Sequence, residues 1–176
     1  MTQPDRRHPH VVNLTEVATD TDEKGSRFGY ACKELGMATA GRELGCSWYE
    51  VAPGRTAFPY HYHCAEEEAI FILEGEGTLR LGSDRIAVAA GDYIALPTGP
   101  ELAHQLLNTG AGPLRYLCLS TVHRVEIVGY PDSNKIGTSA YAPGTDAAPA
   151  KRWVRQRFRA GASLDYYDGE DIGEVS

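Results

Sequence analysis

The feature that most constrains this chain is a succession of short β-like runs, separated by glycine and proline, between residues 11 and 130. The runs are rich in β-branched, aromatic and leucine side chains and recur about every 8–12 residues, as in a sandwich or barrel. The sequence shows no long helical periodicity and no internal repeat. We therefore predict an all-β fold with one barrel and strands at residues 30–35, 44–51, 67–74, 78–81, 85–88, 93–96, 104–108, 114–121 and 125–130.

Composition divides the 176 residues into three regions. We predict a disordered arm at residues 1–10, the barrel at residues 11–130, and a C-terminal extension at residues 131–176 that packs on the barrel or on a partner subunit. The net charge of −7 disfavours a nucleic-acid partner. No window approaches the roughly 18 apolar residues of a membrane span. We expect a cytoplasmic protein that binds neither membrane nor nucleic acid, with its four cysteines as reduced thiols.

One segment of the extension stands apart from this acidic composition. Residues 151–159 contain five basic side chains interleaved with Trp153 and Phe158. Such a pattern is compatible with a nucleic-acid patch or with a surface or edge strand that pairs with the acidic end of the chain. Because the whole chain is acidic, we favour the strand.

Four side chains of the middle region have the spacing of a metal site. His61 and His63 are two residues apart, so in a strand both imidazoles project from the same face. Glu68 leads straight into the next apolar run, which is why we prefer it to the two glutamates before it, and His104 opens a later run. Three imidazoles and a carboxylate suit Fe(II), Mn(II), Ni(II), Zn(II) or Co(II) and leave room for water or substrate.

The residues around these four side chains resemble both motifs of the cupin superfamily. The first runs Gly54, six residues, His61-x-His63, four residues, Glu68, six residues, Gly75; the second runs Gly91, five residues, Pro97-x-Gly99, four residues, His104, three residues, Asn108. The resemblance implies a small single-domain cupin of the type-2 conserved-barrel kind, with a double-stranded β-helix or jelly-roll fold. It also implies one divalent ion (Fe, Mn, Ni or Zn) bound by His61, His63, Glu68 and His104, and a homodimer.

Both motifs depart from the family spacing within loops. One extra residue precedes His61, and two extra residues lie between Gly99 and His104. Loops tolerate insertions, and every ligand is kept. We expect the longer loop, residues 97–104, to reshape the mouth of the pocket. Asn108 shares a strand face with His104, and we interpret it as a residue that ties down backbone.

Few other residues are predicted to act beside the metal. Tyr60 and Arg55 are the pocket candidates, Arg55 because a guanidinium can pair with an anionic substrate. Ile70 and Ile72 share the strand face of Glu68, and Leu106 shares that of His104, so we predict that these three residues form an apolar wall around the metal. Our hypothesis is a metal-dependent enzyme that acts on a small organic molecule, as an oxygenase, a lyase or decarboxylase, or an isomerase. The alternative is a non-catalytic cupin that binds or senses a small ligand at the same site; a purely structural metal site is a third possibility.

Overall fold

The computed structural model describes residues 8–142 and 152–173, except for the side chain of Arg152. Most of the predicted N-terminal arm therefore lies outside the described residues. The strands are β1 Asp20–Lys24, β2 Phe28–Glu34, β3 Leu44–Val51, β4 Tyr62–His63, β5 Glu68–Glu74, β6 Glu76–Leu81, β7 Asp84–Ala89, β8 Tyr93–Leu96, β9 His104–Leu107, β10 Leu114–Thr121, β11 Val125–Tyr130, β12 Lys135–Tyr141 and β13 Arg152–Arg159. Short 3-10 helices span Leu14–Glu16, Pro100–Leu102 and Pro131–Ser133. None of the described helices has the length and hydropathy of a membrane span.

The strands form two walls around one core. One wall is a six-stranded antiparallel sheet in the order β1-β2-β3-β10-β5-β8. The other consists of the sheets β7-β6-β9 and β13-β12-β11-β4, which a bridge between His61 and His104 connects. Alternation along the strands sends side chains such as Ile72, Leu96 and Leu114 into the space between the walls, where they are fully buried. The all-β prediction is confirmed.

Two strands were missed by the sequence prediction, and each has a physical reason. β1 is exposed at every position and, among the described strands, pairs with β2 alone, so its sequence shows no apolar alternation. β12 contains small and polar residues and acquires its strand character by pairing with β11 and β13. β13 forms the edge of this sheet, in the segment where the composition favoured an edge strand.

Two residues of the sequence motifs fix turns. Gly75 has a φ of 86°, and a side chain there would collide with the Pro113 carbonyl oxygen. Asn108 is buried; its Nδ2 donates to the carbonyl oxygens of Val51 (2.7 Å) and Gly112 (2.9 Å), while its Oδ1 accepts from the Gly110 N–H (3.0 Å). Asn108 therefore ties backbone together, as we interpreted from its position.

An ion pair fastens the C-terminal extension to the barrel. Arg80 of β6 donates to both carboxylate oxygens of Asp132, in the 3-10 helix after β11, at 2.5 and 2.9 Å. The Arg80 guanidinium also lies over the Tyr60 ring, 3.4 Å from its centroid. The Tyr60 hydroxyl donates to the Gly82 carbonyl oxygen at 3.0 Å. These contacts lock Tyr60 into the wall between strands.

Candidate metal centre and its cavity

The structure brings the four predicted ligands together. One ligand atom from each of His61, His63, Glu68 and His104 lies within 4.8 Å of the corresponding atoms of the others. His61 and His104 exchange two backbone hydrogen bonds, of 3.1 and 2.7 Å, so their side chains leave paired positions of neighbouring strands. His63 lies in β4, and Glu68 is the first residue of β5. Three chain segments thus meet at one point.

The separations between the ligand atoms suit one bound ion. Glu68 Oε2 lies 3.3 Å from His104 Nε2 and 3.5 Å from His63 Nε2. Two atoms that coordinate one ion at about 2.1 Å lie roughly 3.0–3.4 Å apart in octahedral or tetrahedral geometry. The observed separations therefore leave space for a transition metal between the carboxylate and the imidazoles.

Backbone carbonyl groups set the tautomers of two histidines. Nδ1 of His61 lies 2.7 Å from the Pro59 oxygen, and Nδ1 of His104 lies 3.1 Å from the Leu102 oxygen. A carbonyl oxygen can only accept, so each Nδ1 carries the proton and each Nε2 presents a lone pair. The His104 lone pair then faces a Glu68 carboxylate oxygen, an arrangement that a cation between the two atoms would stabilise.

His63 gives the clearest test of whether the residues fit a metal. Both of its ring nitrogens are buried and neither has a hydrogen-bond partner among the described residues. A buried polar atom without a partner costs about 1–3 kcal/mol. A metal ion at Nε2 would remove that cost for one of the two atoms. The donor set therefore fits a divalent transition metal ion.

The charge states also favour metal binding. Burial, together with the neighbouring imidazoles of His104 and His63, lowers the pKa of His61 to about 4. Burial alone would raise the pKa of Glu68, but the His104 imidazole, whose Nε2 lies 3.3 Å away, and the imidazoles of His63 and His61 outweigh it, so that this pKa is lowered. At neutral pH His61 is therefore neutral and Glu68 is ionised, the forms that coordinate metals.

The sequence reasoning missed one important residue behind the ligands. Glu126 of β11 is buried, and its carboxylate accepts from the backbone N–H groups of Cys64 (2.9 Å), Ala65 (3.3 Å) and Glu66 (2.6 Å). One carboxylate oxygen also lies 3.8 Å from Nδ1 of His63. Glu126 thus holds the turn that follows the His61–His63 pair. Although Glu126, His63 and Glu66 also lie close enough to form a ligand set, the Glu126 oxygens are already hydrogen bonded.

A cavity of about 420 Å³ opens beside the four ligands. Its apolar and aromatic wall includes Tyr49, Phe58, Ile70, Leu106, Tyr116 and Val128. Of the three residues predicted for this wall, Ile70 and Leu106 line it, whereas Ile72 is buried in the core and does not. Cys118 also lines the cavity; its thiol donates to Glu68 Oε1 at 3.8 Å, and burial raises its pKa well above the usual value, so that it remains protonated.

Two predicted pocket residues lie elsewhere. Tyr60 points between strands, as described above, and does not line the cavity. Arg55 donates to the Phe28 carbonyl oxygen at 3.2 Å and lies 3.3 Å from a Glu23 carboxylate oxygen, so it fastens the β1–β2 hairpin to the barrel. Both predictions inferred a position from nearness in sequence to His61, which does not determine where a loop side chain points.

The longer loop, residues 97–104, contributes little to the lining of the cavity. Of residues 97–104, only His104 lines the cavity. The loop instead packs beside the ligand strands, where the Gly99 N–H donates to the His63 carbonyl oxygen at 2.9 Å. The sequence reasoning also missed Tyr130 at the end of β11 and two lining residues of the C-terminal extension, Lys135 of β12 and Arg157 of β13.

A jelly-roll barrel that gathers three histidines and a glutamate beside an inner cavity defines the cupin class. Residues 47–120 match the family model for the cupin domain, and this chain therefore contains a cupin domain. The same motif residues had indicated this family in the sequence.

The chain is also similar to individual proteins. An uncharacterized protein of Methanocaldococcus jannaschii is 40% identical over 60 residues, which cover 34% of this chain and 46% of that protein. Quercetin 2,3-dioxygenase of Bacillus subtilis is 29% identical over 76 residues, 43% of this chain and 23% of that enzyme. The chain thus spans less than half the length of these curated relatives. The fold matches a sugar phosphate isomerase of the cupin superfamily from Silicibacter pomeroyi, with a TM-score of 0.73, 21% identity and coverage of 90% of this chain and 98% of that one.

Proposed function

We propose that this protein is a divalent-metal-dependent enzyme that acts on a small organic molecule. The observation that carries the proposal is the convergence of three imidazoles and one carboxylate at the wall of a 420 Å³ cavity. Cavities of this size hold small organic ligands, and their apolar walls with few polar groups suit such molecules. An ion at this point would have metal-coordinating side chains on one side and, on the other, space for a small organic molecule.

The residues of the chain would each have a defined part. A bound ion would supply Lewis-acid or redox chemistry. His61 and His104 would hold their Nε2 atoms toward it because Pro59 and Leu102 fix the opposite ring nitrogens. Cys118 engages one oxygen of Glu68 and leaves the other turned to the imidazoles. The apolar wall would exclude water and strengthen every charge interaction inside the cavity.

Three reaction classes are compatible with this arrangement: oxygenase, lyase or decarboxylase, and isomerase. The likeness to quercetin 2,3-dioxygenase supports testing the oxygenase class first. The metal discriminates further, because iron supports oxygen activation whereas zinc supports only Lewis-acid chemistry. A cytoplasmic location is part of this proposal, supported by the four free cysteines.

The test begins with elemental analysis of protein purified without chelators. We expect about one metal ion per chain, loss of the ion in His61→Ala and His104→Ala, and a retained β fold by circular dichroism. His123→Ala is the matched control, since His123 is exposed and lies outside the ligand set. Full turnover of an identified substrate by metal-free protein would show that the proposal is wrong.

A non-catalytic role in binding or sensing a small ligand is the second candidate. It is favoured by the scarcity of acid–base groups in the wall, because burial raises the pKa values of Tyr116 and Cys118 well above neutrality. Mass spectrometry separates the two functions. A ligand that binds tightly to the metal-loaded protein and is recovered unchanged after long incubation would support sensing.

A further inference from the structure

We propose that the C-terminal extension turns the metal cavity into a binding site for a small organic anion, with Lys135 and Arg157 as the anion-binding residues. The apolar body of the ligand would lie on the aromatic wall, and its carboxylate or phosphate group would contact these two cations. This inference names a substrate class for the proposed function and rests on the same cavity. It assigns a role to strands that lie outside the matched cupin domain, residues 47–120.

Strand register places Arg157 on the same sheet face as a metal ligand. His63 pairs with Val128, Val128 pairs with Gly137, and Gly137 pairs with Arg157. Directly opposite residues of antiparallel strands share a face, so these four residues form one row across the sheet. Three strand spacings of about 4.8 Å separate the ends of the row by roughly 14 Å of backbone. The Arg157 side chain therefore needs to reach back across the row to approach the cavity.

The Arg157 stem passes over Gly137 on its way toward the cavity. A Cβ atom built on Gly137 would lie 3.6 Å from Arg157 Cγ and 3.4 Å from Tyr130 Cε2. The stem of Arg157 and the ring of Tyr130 therefore converge over the position where a larger residue would place its side chain. Gly137 is buried beneath them. Arg157 and Tyr130 therefore pack together over Gly137 at this edge of the cavity.

Lys135 approaches the metal site through Tyr130. The two residues are directly paired across β11 and β12, and the Lys135 ammonium lies 5.2 Å from the centre of the Tyr130 ring. The Tyr130 ring in turn lies 6.2 Å from the His61 ring, at an interplanar angle of 28°. The Tyr130 ring thus lies between Lys135 and the metal ligand His61, and a small molecule can span the distance between these two residues.

The charges at this end of the cavity are complementary to an anion. No described residue forms an ion pair with Lys135 or Arg157 within 4.0 Å, and both side chains line the cavity. Among the described lining residues, Glu68 is the only carboxylate, and a divalent ion would more than compensate its charge. In a protein of net charge −7, two unpaired cations beside a metal site are a local exception. Guanidinium and ammonium groups bind carboxylates and phosphates through charge-assisted hydrogen bonds.

The remaining wall points to an apolar or aromatic body for the ligand. The Tyr49 and Tyr116 rings are stacked with centroids 5.3 Å apart, and Phe58 packs edge-on against Tyr49 at 5.4 Å. These rings offer broad apolar surfaces and few hydrogen-bonding groups, whereas a sugar ring needs many polar partners. An aromatic or alicyclic anion therefore fits the cavity better than a free sugar.

The test measures binding of simple probes by isothermal titration calorimetry on the zinc-loaded protein. The probes are benzoate, phenyl phosphate and benzamide, the neutral isostere of benzoate. We expect at least one of the anions to bind about 10-fold or more tightly than benzamide, and its affinity to fall about 10-fold in Lys135→Gln and in Arg157→Gln. Arg157→Lys should recover part of the loss, since the charge is kept while the planar fork is lost.

Controls separate this effect from a general loss of charge. Lys24→Gln and Arg85→Gln remove cations from exposed positions outside the cavity and should leave anion binding unchanged. Any one of three results would overturn the inference. These are equal affinities for benzamide and both anions, equal losses of affinity in the control and cavity variants, and no measurable binding of either anion. Comparison of benzoate with phenyl phosphate identifies the preferred anionic group.

The same titrations on metal-stripped protein separate this inference from the proposed function. If the protein proves to bind no metal, the proposed function fails, but the Lys135 and Arg157 variants should still weaken anion binding. If metal and turnover are both found while these variants bind anions normally, the proposed function stands and the anion site is wrong.

Discussion

Removal of the Glu126 carboxylate is the sharpest test of how the metal ligands are held. In Glu126→Ala, the N–H groups of Ala65 and Glu66 lose the only acceptor that the described residues provide, whereas the Cys64 N–H keeps the Ile127 carbonyl oxygen at 3.0 Å. A buried N–H without a partner costs about 1–3 kcal/mol. Because this turn is only partly buried, water can replace some of the loss, and we expect a destabilisation of about 2–4 kcal/mol.

The metal affinity should fall together with the stability. Glu126 holds the turn after His63 and places a carboxylate oxygen 3.8 Å from its Nδ1. Loss of such outer partners typically weakens metal binding about 10–100-fold. Glu126→Gln keeps one oxygen acceptor but removes the charge next to His63, so we expect an intermediate loss of stability and a clear loss of metal affinity.

Two measurements check this reasoning. Urea unfolding of the metal-free proteins gives the change in stability, and competition with a zinc chelator gives metal affinity well below the unfolding temperature. Glu43→Ala is the matched control, because it removes an exposed glutamate away from the site. If Glu126→Ala were destabilised as expected but bound zinc as tightly as the wild type, Glu126 would be structural only and its positioning role would be refuted.

Three further predictions concern the framework around the site. Asn108→Ala should cost about 3–5 kcal/mol in chemical unfolding, since three backbone groups lose their partners. Arg80 lowers the pKa of Asp132, so this ion pair should stabilise the fold fully above the unfolded-state pKa of about 4. The stabilisation should be lost progressively as pH falls through the lower folded-state pKa of Asp132. The melting temperatures of the wild type and Asp132→Asn should therefore converge in acid, and a difference that stays constant with pH would contradict this. The homodimer stays a prediction, and gel filtration should give twice the chain mass of 19.2 kDa. If a chain truncated at Pro149 still formed dimers, the part of the C-terminal extension beyond that residue would be excluded as the dimer contact.

The ligand set could be predicted because it depends on local periodicity. The two-residue alternation of an extended strand placed His61 and His63 on one face, and the same parity turned Tyr62 away from the metal. In the structure the Tyr62 ring lies on the opposite face, over Gly129, where a larger residue would collide with it. Gly75, which the first motif contains, lies at a turn and has a positive φ. Each of these inferences used only neighbours in the chain.

The residues behind and beside the ligands could not be predicted because they depend on register between distant strands. Glu126 reaches the turn after His63 only because β11 pairs with the two-residue strand β4 at Val128 and Gly129. A shift of one residue in that pairing would turn Glu126 to the other face. The positions of Lys135 and Arg157 beside the cavity depend in the same way on the pairing of β11 with β12 and of β12 with β13. Nothing in the composition of β12 or β13 encodes these registers on its own.

The metal ligands and several other cavity residues come from different parts of the chain, and this decides where substrate specificity would lie. The ligands come from the matched cupin domain, whereas Tyr130, Lys135 and Arg157 come from the segment beyond it. The unusual loop at residues 97–104, by contrast, contributes only His104 to the cavity. A change in that loop, such as Glu101→Ala at an exposed position, should therefore leave metal content and binding of benzoate or phenyl phosphate unchanged by calorimetry. A loss as large as that of Arg157→Gln would mean that the loop, rather than the C-terminal sheet, shapes the entrance.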